Sequence, residues 1–291
     1  MKLGLSLFAT SPETFAQIAK RAEEVGFESV WIPEHLVFPA ELPATYPYSK
    51  DGRAPVRPGT PLYDPWVTLA FVASATKTIR LGTSVYVLPL RHPLVTARAV
   101  TTLDLLSGGR TILGFGVGWL QEEFEIVGEQ FPKRGRRSDE IIEILKKLWS
   151  EKIIDHHGEF YDLGPLRFEP KSVQKPHPPI VIGGESRAAL RRAARLGDGW
   201  IGVGGQSLDE LARTVEQLRA FRKEFGREAE PLEITTGSRQ LANDPDAVEK
   251  YREIGVTRLN LTPPLPEGRR ATIDDVYAFL DDCGNLAARI R

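Results

Sequence analysis

Apolar positions along the chain alternate between two periodicities. The first example is residues 3–8 (LGLSLF), a short apolar run of the length and composition of a buried strand. Apolar residues then recur at helical spacing as far as Gly26, which stands where a helix ends, and Ser11-Pro12 supplies an N-cap followed by proline at the first helical position. The pattern therefore predicts a strand and then a helix, with the helix burying Phe15, Ile18, Ala19, Ala22 and Val25.

The same strand-then-helix pattern continues to the end of the chain. Further strands are predicted at 28–32, 79–85, 111–116, 179–182, 199–203, 232–236 and 257–261. Further helices are predicted at 65–76, 93–107, 137–149, 187–196, 208–225 and 245–254, with a last helix starting at Thr272. Eight such units predict an α/β protein with a (β/α)8 TIM barrel, formed as one domain over 1–291. A doubly wound open sheet is the alternative, because strand counts from sequence are fallible.

Two segments interrupt the alternation. Residues 36–64 follow the second strand and are rich in Pro, Tyr and Gly, and residues 150–178, before the fifth strand, are polar and rich in Pro. Both are longer than ordinary connections between elements. The first leaves a strand at its carboxyl end, so we expect a lid or substrate loop there, with disorder as the alternative.

Composition and charge exclude several classes of protein. The formal net charge is −1, and acidic and basic residues are interspersed, which is unlike the basic face of a nucleic-acid-binding protein. Cys283 is the only cysteine and lies on the apolar stripe of the last helix, so we expect a core residue and no disulfide. No His or Cys spacing predicts a metal site. The absence of a long apolar segment predicts a cytoplasmic protein that does not enter a membrane.

Polar residues and glycines that could carry chemistry cluster at predicted strand ends. In a TIM barrel the active site lies at the carboxyl ends of the strands. The candidates there are Glu34 and His35 after strand two, Thr83, Ser84 and Val85 after strand three, Gly116, Gly118 and Trp119 after strand four, and Gly183, Gly184, Ser186 and Arg187 after strand five.

The turn after strand five has the features of an anion site. Gly183 and Gly184 allow the backbone to approach a ligand closely, and Ser186 stands at the N-cap of a helix whose free N–H groups favour a negative charge. Arg187, in the first helical turn, is the arginine of that helix best placed to reach an anion. An ordinary strand-to-helix turn with a good cap is the other interpretation.

Six segments together resemble a known family over essentially the whole chain. They are LGLSLF, AEEVGFESVWIPEH, IRLGTSVYVLPLRHP, LDLLSGGRTILGFGVGW, PKSVQKPHPPIVIGGES and RAARLGDGW, and their order and spacing are more specific than any one of them. The chain resembles the luciferase-like superfamily of flavin- and F420-dependent oxidoreductases. The resemblance is closer to the branch that uses the deazaflavin coenzyme F420 than to the FMN branch.

The resemblance implies roles for the candidate residues. Ser84-Val85 matches the place of a non-prolyl cis peptide that forms a bulge behind the central ring of the cofactor. Gly183, Gly184 and Ser186 match the segment that binds the cofactor phosphate. Glu34-His35 matches an acidic-His pair, with His35 near the reacting edge of the ring and Glu34 orienting it.

One position departs from the family pattern. Where sugar-phosphate dehydrogenases of this superfamily carry a proton-donating acid, this chain has Trp119, and the nearby Glu122 and Glu123 are not at that place. A sugar phosphate is therefore not the expected substrate, and Trp119 is expected to wall the substrate pocket, with a core residue at the rim as the alternative.

The resemblance predicts an F420-dependent oxidoreductase that acts on a small organic molecule, with His35 exchanging a proton. The first alternative is an FMN-dependent monooxygenase that uses O2 and reduced flavin supplied by a partner reductase. The second is a cofactor-binding barrel without turnover. A homodimer is the expected assembly.

Overall fold

The strands form a closed parallel barrel. The computed structural model describes residues 1–8, 10–238, 245–264 and 271–289. In chain order the strands are β1 (Lys2–Ser6), β2 (Ser29–Ile32), β3 (Arg80–Thr83), β4 (Tyr86–Val87), β5 (Thr111–Gly116), β6 (Ile154–His157), β7 (Asp162–Leu166), β8 (Ile180–Gly183), β9 (Gly199–Ile201), β10 (Glu233–Ser238) and β11 (Arg258–Leu261). The barrel runs β1-β2-β3-β5-β8-β9-β10-β11 and closes where β11 pairs with β1, all pairs being parallel. The predicted TIM barrel is confirmed.

Helices surround the barrel. They are α1 (Phe15–Glu24), α2 (Pro65–Ala75), α3 (Pro93–Leu106), α4 (Gln121–Ile126), α5 (Arg134–Ser150), α6 (Arg187–Leu196), α7 (Leu208–Glu224), α8 (Pro245–Ile254) and α9 (Ile273–Arg289). Thr272 caps α9 as predicted, because its N–H donates to Asp275 Oδ2 (2.7 Å) and its hydroxyl accepts from the Asp275 N–H (3.3 Å). Among the described residues, no helix is both long and apolar enough to cross a membrane.

Element boundaries differ from the predicted ones in a few places. β1 ends at Ser6, and a 3-10 turn at Pro12–Thr14 precedes α1, so the Ser11 side chain makes no capping bond. The strand predicted at 79–85 ends at Thr83 as β3, and after a bulge at Ser84–Val85 the chain forms the short strand β4 beyond the predicted end. α5 begins at Arg134, three residues before the expected start, because its first turn is polar and carries no apolar periodicity.

The two insertions have different structures. Residues 150–178 contain the antiparallel hairpin β6–β7, which the sequence did not predict. Residues 36–64 contain no helix or strand; one turn there is closed by the Tyr46 N–H, which donates to the Gly52 carbonyl (2.7 Å). The 36–64 segment starts after the end of β2, at the mouth of the barrel.

A buried tryptophan lies among apolar side chains of the barrel strands. Trp31 is fully buried and forms a cluster with Ile112, Val181 and Ile201, separate from the main core between strands and helices. A Cβ on Gly82 would lie 2.5 Å from the Trp31 ring, and a Cβ on Gly4 would lie 2.7 Å from its Nε1. Residues without side chains therefore face the indole from both neighbouring strands. Cys283 lies in the main core, as predicted, and burial raises the pKa of its thiol to about 12.

An ion-pair network closes the amino-terminal end of the barrel. The buried Arg258 guanidinium donates to Glu28 Oε2 and Oε1 (3.0 and 3.1 Å) and to Glu233 Oε2 (3.0 Å). It also lies 5.2 Å from the centre of the Trp31 ring. This network ties β10 and β11 to the residue that precedes β2, at the end opposite to the mouth.

Candidate active site

A backbone bulge at the end of β3 forms an apolar seat at the mouth of the barrel. The Ser84–Val85 peptide bond is cis, as predicted, and the Ser84 N–H donates to the Ile32 carbonyl (2.8 Å). The half-buried Val85 side chain lies against Gly116 and Gly183: a Cβ on either glycine would be 2.8 Å from a Val85 methyl carbon. The side chain can occupy this position only because both glycines lack a Cβ, and it remains partly exposed.

Two of the predicted cofactor-binding residues, Thr83 and Gly118, are packed against neighbouring parts of the barrel rim. Thr83 is fully buried, and its hydroxyl donates to the Gly114 carbonyl (2.6 Å) and accepts from the Gly114 N–H (3.1 Å). Gly118 has a φ of +83°, and a Cβ there would collide with Phe124 and Val87 at 2.8 Å. Both residues hold the rim of the barrel in place.

His35 lies between an acidic and an indole side chain. Its Nδ1 is 2.8 Å from Glu123 Oε2, and the Trp119 Nε1–H donates to its Nε2 over 3.3 Å. Glu123 is fully buried, while the His35 side chain retains 16 % exposure. Glu123 Oε1 also accepts from the N–H groups of Leu36 and Val37 (2.6 and 3.3 Å). One carboxylate thus holds both the imidazole and the first residues of the 36–64 segment.

The expectation that Glu34 orients His35 is wrong in this structure. The buried Glu34 carboxylate accepts from the Val87 N–H (2.8 Å) and forms an ion pair with Arg91. Burial raises the pKa of Glu34 although Arg91 opposes the shift. Consecutive residues in an extended chain point to opposite sides, so the side chain of Glu34 is directed at β4 while His35 is directed at α4.

A row of aromatic side chains crosses the mouth. The Tyr46 ring stacks edge-on against Trp119 (5.1 Å between centroids) and against Tyr48 (5.4 Å). The Tyr48 hydroxyl lies 3.3 Å from the position that a Cβ on Gly184 would take. Residues 36–64 therefore extend from His35 to the turn after β8, which is the course expected of a lid. Burial raises the pKa of both tyrosines.

The turn after β8 is held by one glycine and two side-chain hydrogen bonds. Gly184 has a φ of +111°, a region that favours glycine. Its carbonyl accepts from the buried Trp200 Nε1–H (2.8 Å), and the Ser186 hydroxyl caps α6 by accepting from the Ala189 N–H (3.2 Å). Ser186 is thus the N-cap that the sequence predicted, while Trp200 is a positioning contact that it did not.

The Arg187 side chain lies against an aromatic ring. Its guanidinium lies 5.1 Å from the centre of the Phe221 ring on α7, so it contacts the neighbouring helix. The described ring contact of Arg187 is thus on α7, and its role in binding an anion stays a prediction. The Gly184 N–H donates to the Ile201 carbonyl (3.3 Å), so the donors that the turn offers are the N–H groups at the start of α6.

The sequence predicted no role at the site for Glu123, Trp200, Tyr46 or Tyr48. Glu123 follows Trp119 by four residues, and only the unpredicted helix α4 turns it toward His35. Trp200 lies on an ordinary buried strand, and the two tyrosines lie in an irregular segment. The only available signal was the Tyr content of 36–64.

The chain belongs to the luciferase-like monooxygenase family. The sequence profile of that family matches residues 3–270. This confirms the superfamily that the six segments indicated.

Several curated proteins are similar to the chain. An uncharacterized protein of Mycobacterium tuberculosis is 37% identical over 243 residues, covering 84% of this chain and 82% of its own length. An F420-dependent glucose-6-phosphate dehydrogenase of Kineococcus radiotolerans is 34% identical and covers 77% of this chain and 62% of its own length. An FMNH2-dependent dimethylsulfone monooxygenase of Pseudomonas putida is 37% identical over 44% of this chain and 36% of its own length.

Solved structures support the fold. The monooxygenase RslO1 of Streptomyces bottropensis superposes with a TM-score of 0.80 at 22% identity over the whole of both chains. An F420-dependent secondary alcohol dehydrogenase in complex with an F420-acetone adduct gives 0.78 at 17% identity over 100% of this chain and 99% of its own. At these identities the likeness concerns the barrel alone.

Proposed function

We propose that this protein is an F420-dependent oxidoreductase acting on a small organic molecule. The observation that carries the proposal is the meeting of three features at one end of the barrel: the Val85 seat, the half-buried His35 and the Gly184–Ser186 turn. A flat ring system with a phosphate-bearing chain matches such a set, because it needs an apolar face, a polar group at its reacting edge and an anion site.

The residues present fit the cofactor. Val85 would support the middle of the ring from below, with Gly116 and Gly183 keeping the seat low. The phosphate would meet the backbone N–H groups around Gly184 and Ser186 at the positive end of α6. The Tyr48 hydroxyl lies beside Gly184 and would contact the same group.

The protein would supply a group that exchanges protons and side chains that exclude water from the substrate. When bound, the deazaflavin gives or accepts a hydride at C5, and the redox chemistry belongs to it. His35 would hold or release a proton at Nε2, the nitrogen that Trp119 contacts. Trp119 and the lid residues Tyr46 and Tyr48 would cover the substrate and exclude water.

One observation favours F420 over FMN, and a second concerns the substrate. The similarity to the F420-dependent dehydrogenase extends over 77% of the chain, whereas that to the FMNH2-dependent monooxygenase extends over 44%. Trp119 stands where sugar-phosphate dehydrogenases of the superfamily carry an acid, so we propose a less polar substrate than that of the Kineococcus enzyme. The FMN-dependent monooxygenase, supplied by a partner reductase, stays the second candidate.

Cofactor titration tests the proposal. Fluorescence quenching should show oxidised F420 binding with a Kd in the micromolar range or below, about −8 kcal/mol or better, and FMN binding more weakly. Tighter binding of FMN would favour the monooxygenase. Binding of neither would favour a barrel without turnover.

We also propose that the chain forms a homodimer, since two-fold dimers are the commonest assemblies of identical chains. Light scattering should then give a mass of two 32.4 kDa chains. A mass of one chain would contradict the proposal without affecting the cofactor assignment.

A further inference from the structure

We infer that Glu123 is a positioning residue that fixes the proton of His35 on Nδ1 and so leaves Nε2 as the atom that exchanges a proton. The inference deepens the proposed function and rests on it only for the exchange of a proton at Nε2. The placement of the proton depends on the chain alone.

The contacts of His35 decide its tautomer. An indole Nε1–H can only donate, so the Trp119 contact requires His35 Nε2 to accept. A neutral imidazole has one donor and one acceptor nitrogen, which puts the proton on Nδ1. Nδ1 then donates to Glu123 Oε2, 2.8 Å away.

The Glu123 carboxylate acts as a hydrogen-bond acceptor in all of its described contacts. Its Oε1 accepts from the N–H groups of Leu36 and Val37, and its Oε2 faces His35. Because His35 Nδ1 carries the proton, Glu123 Oε2 accepts from His35 while Oε1 accepts from the two backbone N–H groups. Full burial removes competing water from the pair.

The arrangement has a consequence for proton exchange. A buried carboxylate that accepts from Nδ1 holds the ring in one orientation and prevents it from presenting the other nitrogen for proton exchange. Within the described part of the chain, the hydrogen-bond partner of Nε2 is the Trp119 indole, and its 3.3 Å distance is long for a hydrogen bond. A substrate hydroxyl could therefore displace the indole from Nε2.

The tautomer can be measured without cofactor or substrate. Long-range hydrogen–nitrogen NMR spectra of histidine-labelled protein would be recorded above neutral pH, and His35 would be assigned among the five histidines by loss of its signals in His35→Gln. The wild-type spectrum should show Nδ1 protonated and Nε2 unprotonated. A proton on Nε2 in the wild type would overturn the inference, whether or not F420 binds.

A matched pair of variants tests the role of Glu123. Glu123→Gln keeps the acceptor for Leu36 and Val37 but can offer His35 a donor, so the Nε2–H form should become populated. Glu125→Gln, on the exposed side of the same helix, should leave the tautomer unchanged. An unchanged tautomer in a folded Glu123→Gln protein would refute the positioning role.

Activity adds a second, separate readout. With a working substrate, Glu123→Gln should lower kcat by about a hundredfold, within the range lost with general acid–base catalysis, and leave the Kd for F420 within about twofold. Glu123→Asp should recover part of the loss. If F420 does not bind at all, the proposed function fails, while the NMR result still decides the inference.

Discussion

His35 is the residue on which the proposed chemistry depends. Its ring is the titratable group at the mouth that retains exposure while contacting a buried carboxylate. The sequence indicated His35 through its place after β2, but it paired the histidine with Glu34. Neighbours in an extended chain point apart, and the true partner lies 88 positions away on a helix too short to show an apolar period.

Replacing His35 should separate catalysis from binding. We expect His35→Ala to lower kcat by about 10²–10⁴, the usual contribution of general acid–base catalysis, with far less change in cofactor affinity. Steady-state kinetics and a parallel F420 titration measure the two quantities. His157→Ala, at an exposed position on the β6–β7 hairpin, is the control and should keep full activity. Loss of affinity with unchanged kcat at saturation would make His35 a wall of the pocket only.

At the scale of elements, periodicity predicted the barrel strands and large helices closely. The strand at 111–116 and the helices at 187–196 and 245–254 have their predicted bounds. The bulge between β3 and β4 came from the family resemblance, since its sequence continues an apolar run. The hairpin β6–β7 and helix α4 were missed because they are short and their outer faces are polar, so hydrophobic period carries little signal for them.

The turn between β8 and α6 yields a prediction at the same scale. Gly184→Asp would place a negative charge where the cofactor phosphate should lie, and should weaken F420 binding by at least tenfold, about 1.4 kcal/mol. Gly184→Asn matches the aspartate in size and backbone strain, so the difference between the two variants isolates the charge. Fluorescence titration of both proteins measures it.

A further control addresses the cost of replacing a glycine with positive φ. Gly226→Asp carries the same substitution at a φ of +66°, beyond the end of α7, where nothing lies within 4 Å of the new Cβ. Its affinity for F420 should equal that of the wild type. Unchanged affinity in a well-folded Gly184→Asp protein would place the phosphate elsewhere.

Over the whole molecule, stability and function are assigned to opposite ends of the barrel. The Arg258 network closes the amino-terminal end under Trp31, while the proposed cofactor site occupies the carboxyl end. Sequence pattern predicted the closed barrel but not this network, because Arg258, Glu28 and Glu233 come from three separate units. Their convergence follows from the register of β10 and β11, not from local sequence.

Removal of Arg258 should therefore cost stability and not affinity. Arg258→Leu would leave Glu28 and Glu233 without their shared cation and should lower the free energy of unfolding by about 3 kcal/mol. Arg21→Leu, which removes an exposed arginine paired with Asp281, should change the free energy of unfolding far less, because solvent screens that pair. Chemical denaturation measures both. A large fall in F420 affinity in folded Arg258→Leu protein would contradict the separation of the two ends.

The most direct test of the account is a crystal structure of the protein soaked with F420, with the position of the ring and its distance from His35 measured. We expect the ring to lie on Val85, its phosphate at the Gly184–Ser186 turn, and His35 Nε2 separated from C5 by no more than the space that one small substrate or water molecule fills. A ring bound away from Val85, or a His35 ring much farther than that from C5, would contradict the proposed active site.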